Sequence, residues 1–201
     1  MGKKCLVGIC SRDPKESYDW IQDLLKTERF KKKVKDTPHP IYISNSNSSE
    51  FMKMMSNCTF TILYHTKNRG RINITDVTDS LYDAELELMC KTQGRDNVIV
   101  VIDDLDDSGS DEAERILRTQ ESIKKWSCEL FLFSKQDKVT IADGKSTDGQ
   151  VDKKLSRLRE ILKKAKKKQK FTVRGEKGDN SHKHKSKKKE DHPNEEKYVF
   201  S

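Results

Sequence analysis

Four aspartates directly follow the most apolar stretch of the chain. Residues 98–102 are five consecutive β-branched residues, and Asp103, Asp104, Asp106 and Asp107 occupy four of the next five positions. A strand that is apolar on both faces is typical of the centre of a parallel sheet, and open parallel sheets bind ligands at the carboxyl ends of their strands. Carboxylate oxygens at such an edge suit a hard cation such as Mg²⁺.

The aspartates also have an interpretation that involves no metal. Acidic side chains near the first turn of a helix are stabilised by the helix dipole, and a helix is predicted to begin near Ser108. A response-regulator receiver gathers aspartates after its first and third strands and adds a lysine after the fifth. Here the third strand ends in Tyr64 and His65, which departs from that scheme, although Lys135 follows the fifth strand. We therefore interpret the acidic run as a strand end that leads into a capped helix, and expect no metal site.

Polar and cationic residues after the first three strands form a second candidate site. If the sheet has the order 2-1-3-4-5, its first and third strands flank the crevice where ligands usually bind. The residues predicted to line that crevice suit a phosphate or another anion, and the alternative is an ordinary solvated loop. No GxGxxG or GxxxxGK[ST] pattern occurs, which argues against a Rossmann dehydrogenase or a P-loop NTPase. The candidate ligand-binding residues are Ser11, Arg12, Asn45, His65, Arg69 and Arg71.

Apolar runs and helix-start signals alternate along the chain, and these elements must position the candidate residues. Amphipathic helices are predicted between the strands; the first has Asp13 as its cap and Pro14 at its first position, and the third covers residues 79–92. Because right-handed crossovers place helices on both faces, five strands alternating with five helices predict an α/β fold with a doubly wound parallel sheet of order 2-1-3-4-5. The predicted strands are residues 5–10, 41–43, 59–63, 98–102 and 128–133.

The net positive charge of the chain lies in its C-terminal part. Of 41 Lys+Arg and 33 Asp+Glu, residues 151–201 hold 18 and 8, which leaves 23 against 25 for residues 1–150. We predict a folded domain over residues 1–165 and a disordered basic tail over 166–201, since the tail has almost no apolar residues. Clustered lysines can bind nucleic acid, an importin or anionic lipid, or simply add solubility. The candidate polyanion-binding residues are Lys163, Lys164, Lys166, Lys167, Lys168, Lys187, Lys188 and Lys189.

The cysteines and the hydropathy pattern indicate a reduced, non-membrane environment. Five cysteines are scattered, without zinc spacing or a CxxC pair, so we predict reduced thiols in the core. No apolar run has the length of a membrane span or of a signal peptide. We therefore expect a cytoplasmic protein, which the lysine clusters could also direct to the nucleus.

Three segments that follow one another along the chain form a further pattern. They are residues 5–25 with Ser11, Asp13 and Trp20, residues 51–63, and residues 81–86 followed by 97–103. Together these segments resemble a Toll/interleukin-1 receptor (TIR) domain. They are similar to the family's opening strand, turn and aromatic-bearing helix, to its helix and polar turn before the third strand, and to its Trp-x-x-x-Glu helix with the strand that follows. A fainter resemblance links the chain to small virus- or interferon-induced proteins of fish and amphibians.

Two positions depart from the TIR pattern. The family's Arg-Asp-x-x-Pro-Gly loop after the second strand is replaced by residues 44–47, Ser-Asn-Ser-Asn, and Tyr82 stands near the place of the usual tryptophan. Because that loop often mediates contacts between TIR domains, its replacement puts the usual mode of assembly in question.

The resemblance implies a protein-interaction module in innate immune or antiviral signalling, without a cofactor, whose partners are other proteins or copies of itself. In NAD-cleaving members of the family the helix glutamate engages the nicotinamide ribose, and the matching residue is Glu85, with Glu87 beside it. A carboxylate there can stabilise an oxocarbenium-like transition state. A hydrolase with NAD as its substrate is therefore one alternative, and a nucleic-acid-associated protein that binds through its tail is another.

Overall fold

The computed structural model describes residues 4–144 and 149–165, which contain one five-stranded sheet. All neighbouring strands are parallel, and their order is β2-β1-β3-β4-β5. The predicted α/β class and strand order are thus confirmed. The strands are β1 (Val7–Ser11), β2 (His39–Tyr42), β3 (Phe60–Thr66), β4 (Val98–Leu105) and β5 (Glu129–Ser134).

Helices cover both faces of this sheet. The helices that connect consecutive strands start near the carboxyl ends of the strands, so this edge of the sheet is where candidate site residues gather. The helices are α1 (Asp19–Lys26), α2 (Ser48–Ser56), α3 (Asp83–Gln93), α4 (Ser110–Thr119), α5 (Glu121–Trp126), α6 (Lys135–Ala142) and α7 (Gln150–Lys164).

The run of β-branched residues in β4 is explained by the two core layers on either side of the sheet. Ile99 and Val101 face the layer formed with α1 and α7, while the alternate residues Val98, Val100 and Ile102 face the layer formed with α2 to α5. All five side chains are buried. Burial of each contributes on the order of 1.5–3 kcal/mol, so β4 anchors the position of the aspartates that follow it.

Two helices begin later than predicted. The third helix starts at Asp83 rather than Asp79, because Asp79 has a left-handed backbone (φ 58°) that cannot continue into a helix. The first α-helix starts at Asp19, after a short 3-10 turn that begins at Lys15. Asp13 does not cap it, since this side chain is buried in an ion pair with Arg69.

One helix, α6, was not predicted, and the single helix predicted after β4 is divided into α4 and α5. Helix α6 has no continuous apolar stripe; it is fixed at its start by a capping box in which Ser134 and Asp137 exchange hydrogen bonds. The helix predicted after β4 breaks at Gln120, whose side-chain amide binds backbone groups of the loop after β3, among them the amides of Ile74 and Thr75.

The described residues contain the five cysteines and no membrane-spanning helix. Within residues 4–144 and 149–165, no helix has the length and apolar character to cross a membrane. All five cysteines are free thiols. The predicted disordered tail, with its candidate lysines from Lys166 onward, lies outside the described residues.

Candidate functional site

Arg12, just after the carboxyl end of β1, binds two other predicted site residues, Glu85 and Asn45. Its Nη2 donates to Glu85 Oε1 at 2.8 Å and its Nη1 to Asn45 Oδ1 at 2.7 Å, while Nε donates to the carbonyl of Leu81 at 2.9 Å. The side chains of Arg12 and Glu85 are only 16% and 19% exposed. The candidate anion ligand and the candidate catalytic carboxylate therefore neutralise each other at the mouth of the predicted crevice.

Ser11 and Arg69 are also engaged within the protein. The Ser11 hydroxyl donates to the carbonyl of Tyr64 at 3.0 Å, which ties β1 to β3. Arg69 Nη1 donates to Asp13 Oδ1 at 3.0 Å and to the carbonyl of Arg12 at 3.1 Å. Arg69 thus closes the loop after β3 over the end of β1, and its charge is balanced by a buried carboxylate.

His65 lies inside the fold rather than at an open site. The side chain is buried, and its Nε2 is 3.1 Å from the carbonyl of Arg71. Its Nδ1 is a buried atom for which the described residues supply no hydrogen-bond partner. Burial lowers the pKa of His65, so the imidazole is neutral with its Nε2–H donated to Arg71. The Arg71 side chain itself is directed to the carbonyl of Thr78.

The most buried charges of this edge belong to β4. Asp103 has no solvent exposure and accepts hydrogen bonds from Trp20 Nε1 at 2.7 Å, from the Tyr64 hydroxyl at 2.9 Å and from Lys138 Nζ at 3.1 Å. Burial raises the pKa of the Asp103 carboxyl, and it likewise raises the pKa of Tyr64. Three donors around one carboxylate make this a closed polar cluster within the core layer.

Asp104 adds a second carboxylate to this cluster, and its backbone is left-handed. It is one of the few non-glycine residues with positive φ (57°), at the place where the pairing of β4 with β5 shifts register. Its carboxylate accepts from Lys138 Nζ and Asn68 Nδ2, each at 2.8 Å, and from Thr66 Oγ1 at 2.9 Å. Although burial acts to raise it, these hydrogen bonds lower the pKa of Asp104, and the two aspartates raise the pKa of Lys138 against its own burial.

For Asp103 and Asp104, the interpretation as acids that cap the next helix is therefore wrong. Both side chains bind Lys138, which occupies the place between the two carboxylates. Asp107 fits the interpretation better, since its Oδ1 accepts from the amide of Gly109 just before α4. Among the described residues no group of three or more His, Cys, Asp or Glu is arranged to hold a metal ion.

A serine and a lysine meet farther along the same edge. Ser108 Oγ donates to Asp137 Oδ2 at 2.6 Å, and Lys154 Nζ lies 2.8 Å from both Ser108 Oγ and Asp137 Oδ2. A serine nucleophile needs a free base nearby. Because Lys154 is paired with a carboxylate, the arrangement is better suited to joining α4, α6 and α7 than to catalysis.

Comparisons with protein-family models and with curated proteins found no match to this chain. The TIR resemblance therefore stays a prediction, and the candidate roles rest on geometry.

Arg12 and Asn45 were predicted to line one anion-binding crevice, and Glu85 was predicted on other grounds as a catalytic acid. The structure joins all three in one hydrogen-bonded group, a pairing that the sequence did not indicate. Sequence reasoning noted Lys135 after the fifth strand, whereas the lysine that binds the aspartates is Lys138, about one helical turn later. The position of Lys138 beside the aspartates can be inferred only once residues 135–142 are known to form a helix.

Proposed function

We propose that the protein is a TIR-like interaction module that works through protein contacts in innate immune or antiviral signalling. The observation that supports this is the position of its exposed apolar side chains. Four large apolar side chains are exposed within the described residues, and three of them, Tyr42, Met52 and Met54, lie on β2 and α2. These two elements contact each other and form one end of the sheet.

The chemistry of this end suits a protein partner. As the outermost strand, β2 has backbone groups on one side that no other strand of the sheet pairs. Tyrosine and methionine are enriched at protein interfaces, and methionine adapts its shape to the partner. Tyr42 is 57% exposed, which is unusual for an aromatic residue in a strand. We take the partner to be a second copy of the chain, because two identical edge strands are self-complementary about a two-fold axis.

The loop beside this surface is held in place without the sequence found in TIR domains. Asn47 Oδ1 accepts from the amide of Ser44, and Asn47 Nδ2 donates to the carbonyl of Tyr42, each at 2.9 Å. A fixed loop reduces the entropy that an interface must overcome on binding. The Ser-Asn-Ser-Asn segment therefore supports the same end of the sheet that exposes Tyr42.

The Arg12–Glu85 ion pair weighs against the NAD-cleaving alternative. A carboxylate that stabilises positive charge on a ribose must face the substrate, and Glu85 Oε1 faces a guanidinium at 2.8 Å. Arg12 cannot swing away without giving up its hydrogen bonds to Asn45 and Leu81. A substrate would have to displace this group before Glu85 could act.

Sedimentation of the full chain over a wide concentration range tests the interaction proposal. We expect concentration-dependent dimers, and Tyr42→Lys should weaken the dimer by tenfold or more, since losing a central aromatic contact commonly costs about 2 kcal/mol or more. Val139→Lys is the matched control, because Val139 is 52% exposed but lies on α6. A chain that stays monomeric, or a dimer that Tyr42→Lys and Val139→Lys weaken equally, would contradict the proposal.

Nicotinamide release from NAD tests the enzymatic alternative. The full chain at high concentration should release no more nicotinamide than its Glu85→Gln variant. Turnover that disappears in Glu85→Gln, while Glu87→Gln keeps it, would overturn the non-enzymatic proposal in favour of NAD cleavage.

A further inference from the structure

A cavity of about 680 Å³ opens at the amino ends of the strands, the edge opposite the residues described above. Its walls come from three parts of the chain that are distant in sequence: the turn before β4, the residue before β5, and the last two turns of α7. The lining residues are Gly94, Arg95, Asp96, Asn97, Cys128, Arg157, Ile161, Lys163, Lys164 and Ala165.

The charge of this cavity is strongly one-sided. Four cationic residues line it against a single acid, Asp96. Arg157 is offset by Glu129 at 2.7 Å, and Lys163 lies 3.8 Å from a carboxylate oxygen of Glu160. For the other two cations, the described residues provide no carboxylate within ion-pair distance. The two cations with uncompensated charge are Arg95 and Lys164.

Arg95 is positioned rather than free. Its Nε donates to the carbonyl of Lys124 at 3.0 Å, which restrains the guanidinium, while the described residues leave its charge without a partner acid. Burial raises the thiol pKa of Cys128, another lining residue, to about 11, so this side chain carries no negative charge at neutral pH. Among the described residues that line the cavity, Asp96 is the one acid, and Glu129 and Glu160 lie beside two of the four cations.

We infer that this cavity binds the backbone phosphates of a nucleic acid. Arginine and lysine side chains commonly bind the phosphate oxygens of a nucleic-acid backbone. Such contacts do not depend on the base sequence. The cavity lacks aromatic side chains on which bases could stack, so the contact is to the backbone and a duplex is the expected ligand.

An anionic membrane fits this site less well. Proteins that lie on membranes bury apolar side chains among the lipids besides contacting head groups. Within the described residues, the exposed large apolar side chains Tyr42, Met52, Met54 and Val139 are not among those that line the cavity. A concave cationic site without apolar anchors favours a phosphate backbone over a lipid surface.

Charge reversal of Arg95 tests the inference, since Arg95 lies far in sequence from the lysine clusters. Binding of a fluorescent RNA duplex to the full chain would be followed by anisotropy at several salt concentrations. Removing one phosphate contact lowers the salt slope by about 1, which corresponds to a loss of about eightfold in affinity near 0.1 M salt. We expect at least this loss for Arg95→Glu. The matched control is Arg118→Glu, an equal charge change at an exposed arginine in the last turn of α4.

The outcomes separate the folded site from binding by the tail alone. A drop for Arg95→Glu with little change for Arg118→Glu, in variants whose circular dichroism matches the parent, supports the cavity. Equal effects of both reversals, or no effect of either, would mean that binding is diffuse or confined to the tail, and would overturn the inference. Binding to anionic vesicles without binding to the duplex would overturn it as well.

Discussion

Replacing Lys138 with methionine should destabilise the fold by an amount that depends on pH. The substitution keeps most of the aliphatic stem and removes the ammonium that bridges Asp103 and Asp104 at 3.1 and 2.8 Å. Breaking a fully buried pair costs about 3–5 kcal/mol, and an exposed pair contributes about 0–1 kcal/mol. The Asp103 side chain is 0% and the Lys138 side chain 24% exposed, so we expect a loss of about 2–3 kcal/mol at pH 7.

The loss should shrink as the pH is lowered. Burial already raises the pKa of Asp103 in the folded state, and without Lys138 it rises further, so the folded variant binds a proton at a pH where the unfolded chain does not. Stability of the variant then increases as the pH falls through that raised pKa. Asp104 acts in the same direction, because the hydrogen bond that lowers its pKa in the parent is lost. The difference from the parent is therefore greatest at neutral pH.

Urea denaturation followed by circular dichroism measures this effect between about pH 5 and pH 7.5, a range that lies above the ordinary aspartate pKa. Circular dichroism is preferable to fluorescence here, since Trp20 donates to Asp103 and would report a local change. Lys15→Met is the matched control, because it removes a lysine from the exposed pair with Asp19 and should leave stability unchanged. A loss that is no greater than in this control, or that is the same at both ends of the pH range, would refute the reasoning.

Three further predictions use the same denaturation assay. Gly8→Ala should lower the free energy of unfolding by about 1–3 kcal/mol, because a Cβ would lie 2.8 Å from Cys58 Sγ in a strand buried on both faces. Lys154→Met should lower it by about 3 kcal/mol, since the pair with Asp137 is only 13% and 12% exposed. Because burial lowers the pKa of His65, the unfolded chain takes up a proton first as the pH falls below about 7. Stability should therefore decline on acidification toward pH 5, and less steeply in His65→Gln.

The sheet could be predicted because its signal is local. Five β-branched residues in a row can be buried only if both faces are covered, and residues 98–102 are buried against two separate helical layers. Once the strands and helices alternate, right-handed crossovers leave few arrangements, and the observed order is the expected one. Burial on two faces thus identifies the strand and places it inside the sheet rather than at an edge.

The pairing within the site could not be predicted because it depends on contacts between distant residues. Arg12 and Glu85 are 73 positions apart, and each alone looks like a residue available for a ligand. Asp104 contacts Lys138 because its backbone is left-handed, at a point where the pairing of β4 with β5 shifts register. The residue types of this strand do not indicate either feature. Helix α6 was not predicted because it has no apolar stripe, and a capping box fixes its start.

Helix dipoles account for two of the four cations that line the cavity, Lys163 and Lys164, which occupy the last turn of α7. Acids are favoured in first turns and bases in last turns, and all seven described helices have an acid in the first turn. In a parallel sheet the crossover helices all run in the same direction, so the bases of their last turns collect near the amino ends of the strands. Stabilisation of helix ends therefore adds positive charge at the amino edge, although the Lys+Arg and Asp+Glu of residues 1–150 almost balance. The bases in last turns are Lys26, Lys53, Lys91, Arg118, Lys124, Lys125, Lys163 and Lys164.

Arg118 shows that the segregation follows the path of each helix rather than composition alone. It occupies a last turn, but α4 ends beside Gln120, which binds the loop after β3 at the carboxyl edge. Arg95, in contrast, precedes β4 directly and so lies at the amino edge. Both arginines are exposed and carry the same charge, but they lie at different places in the fold. A phosphate backbone that distinguishes them must therefore recognise the folded edge rather than the net charge of the chain.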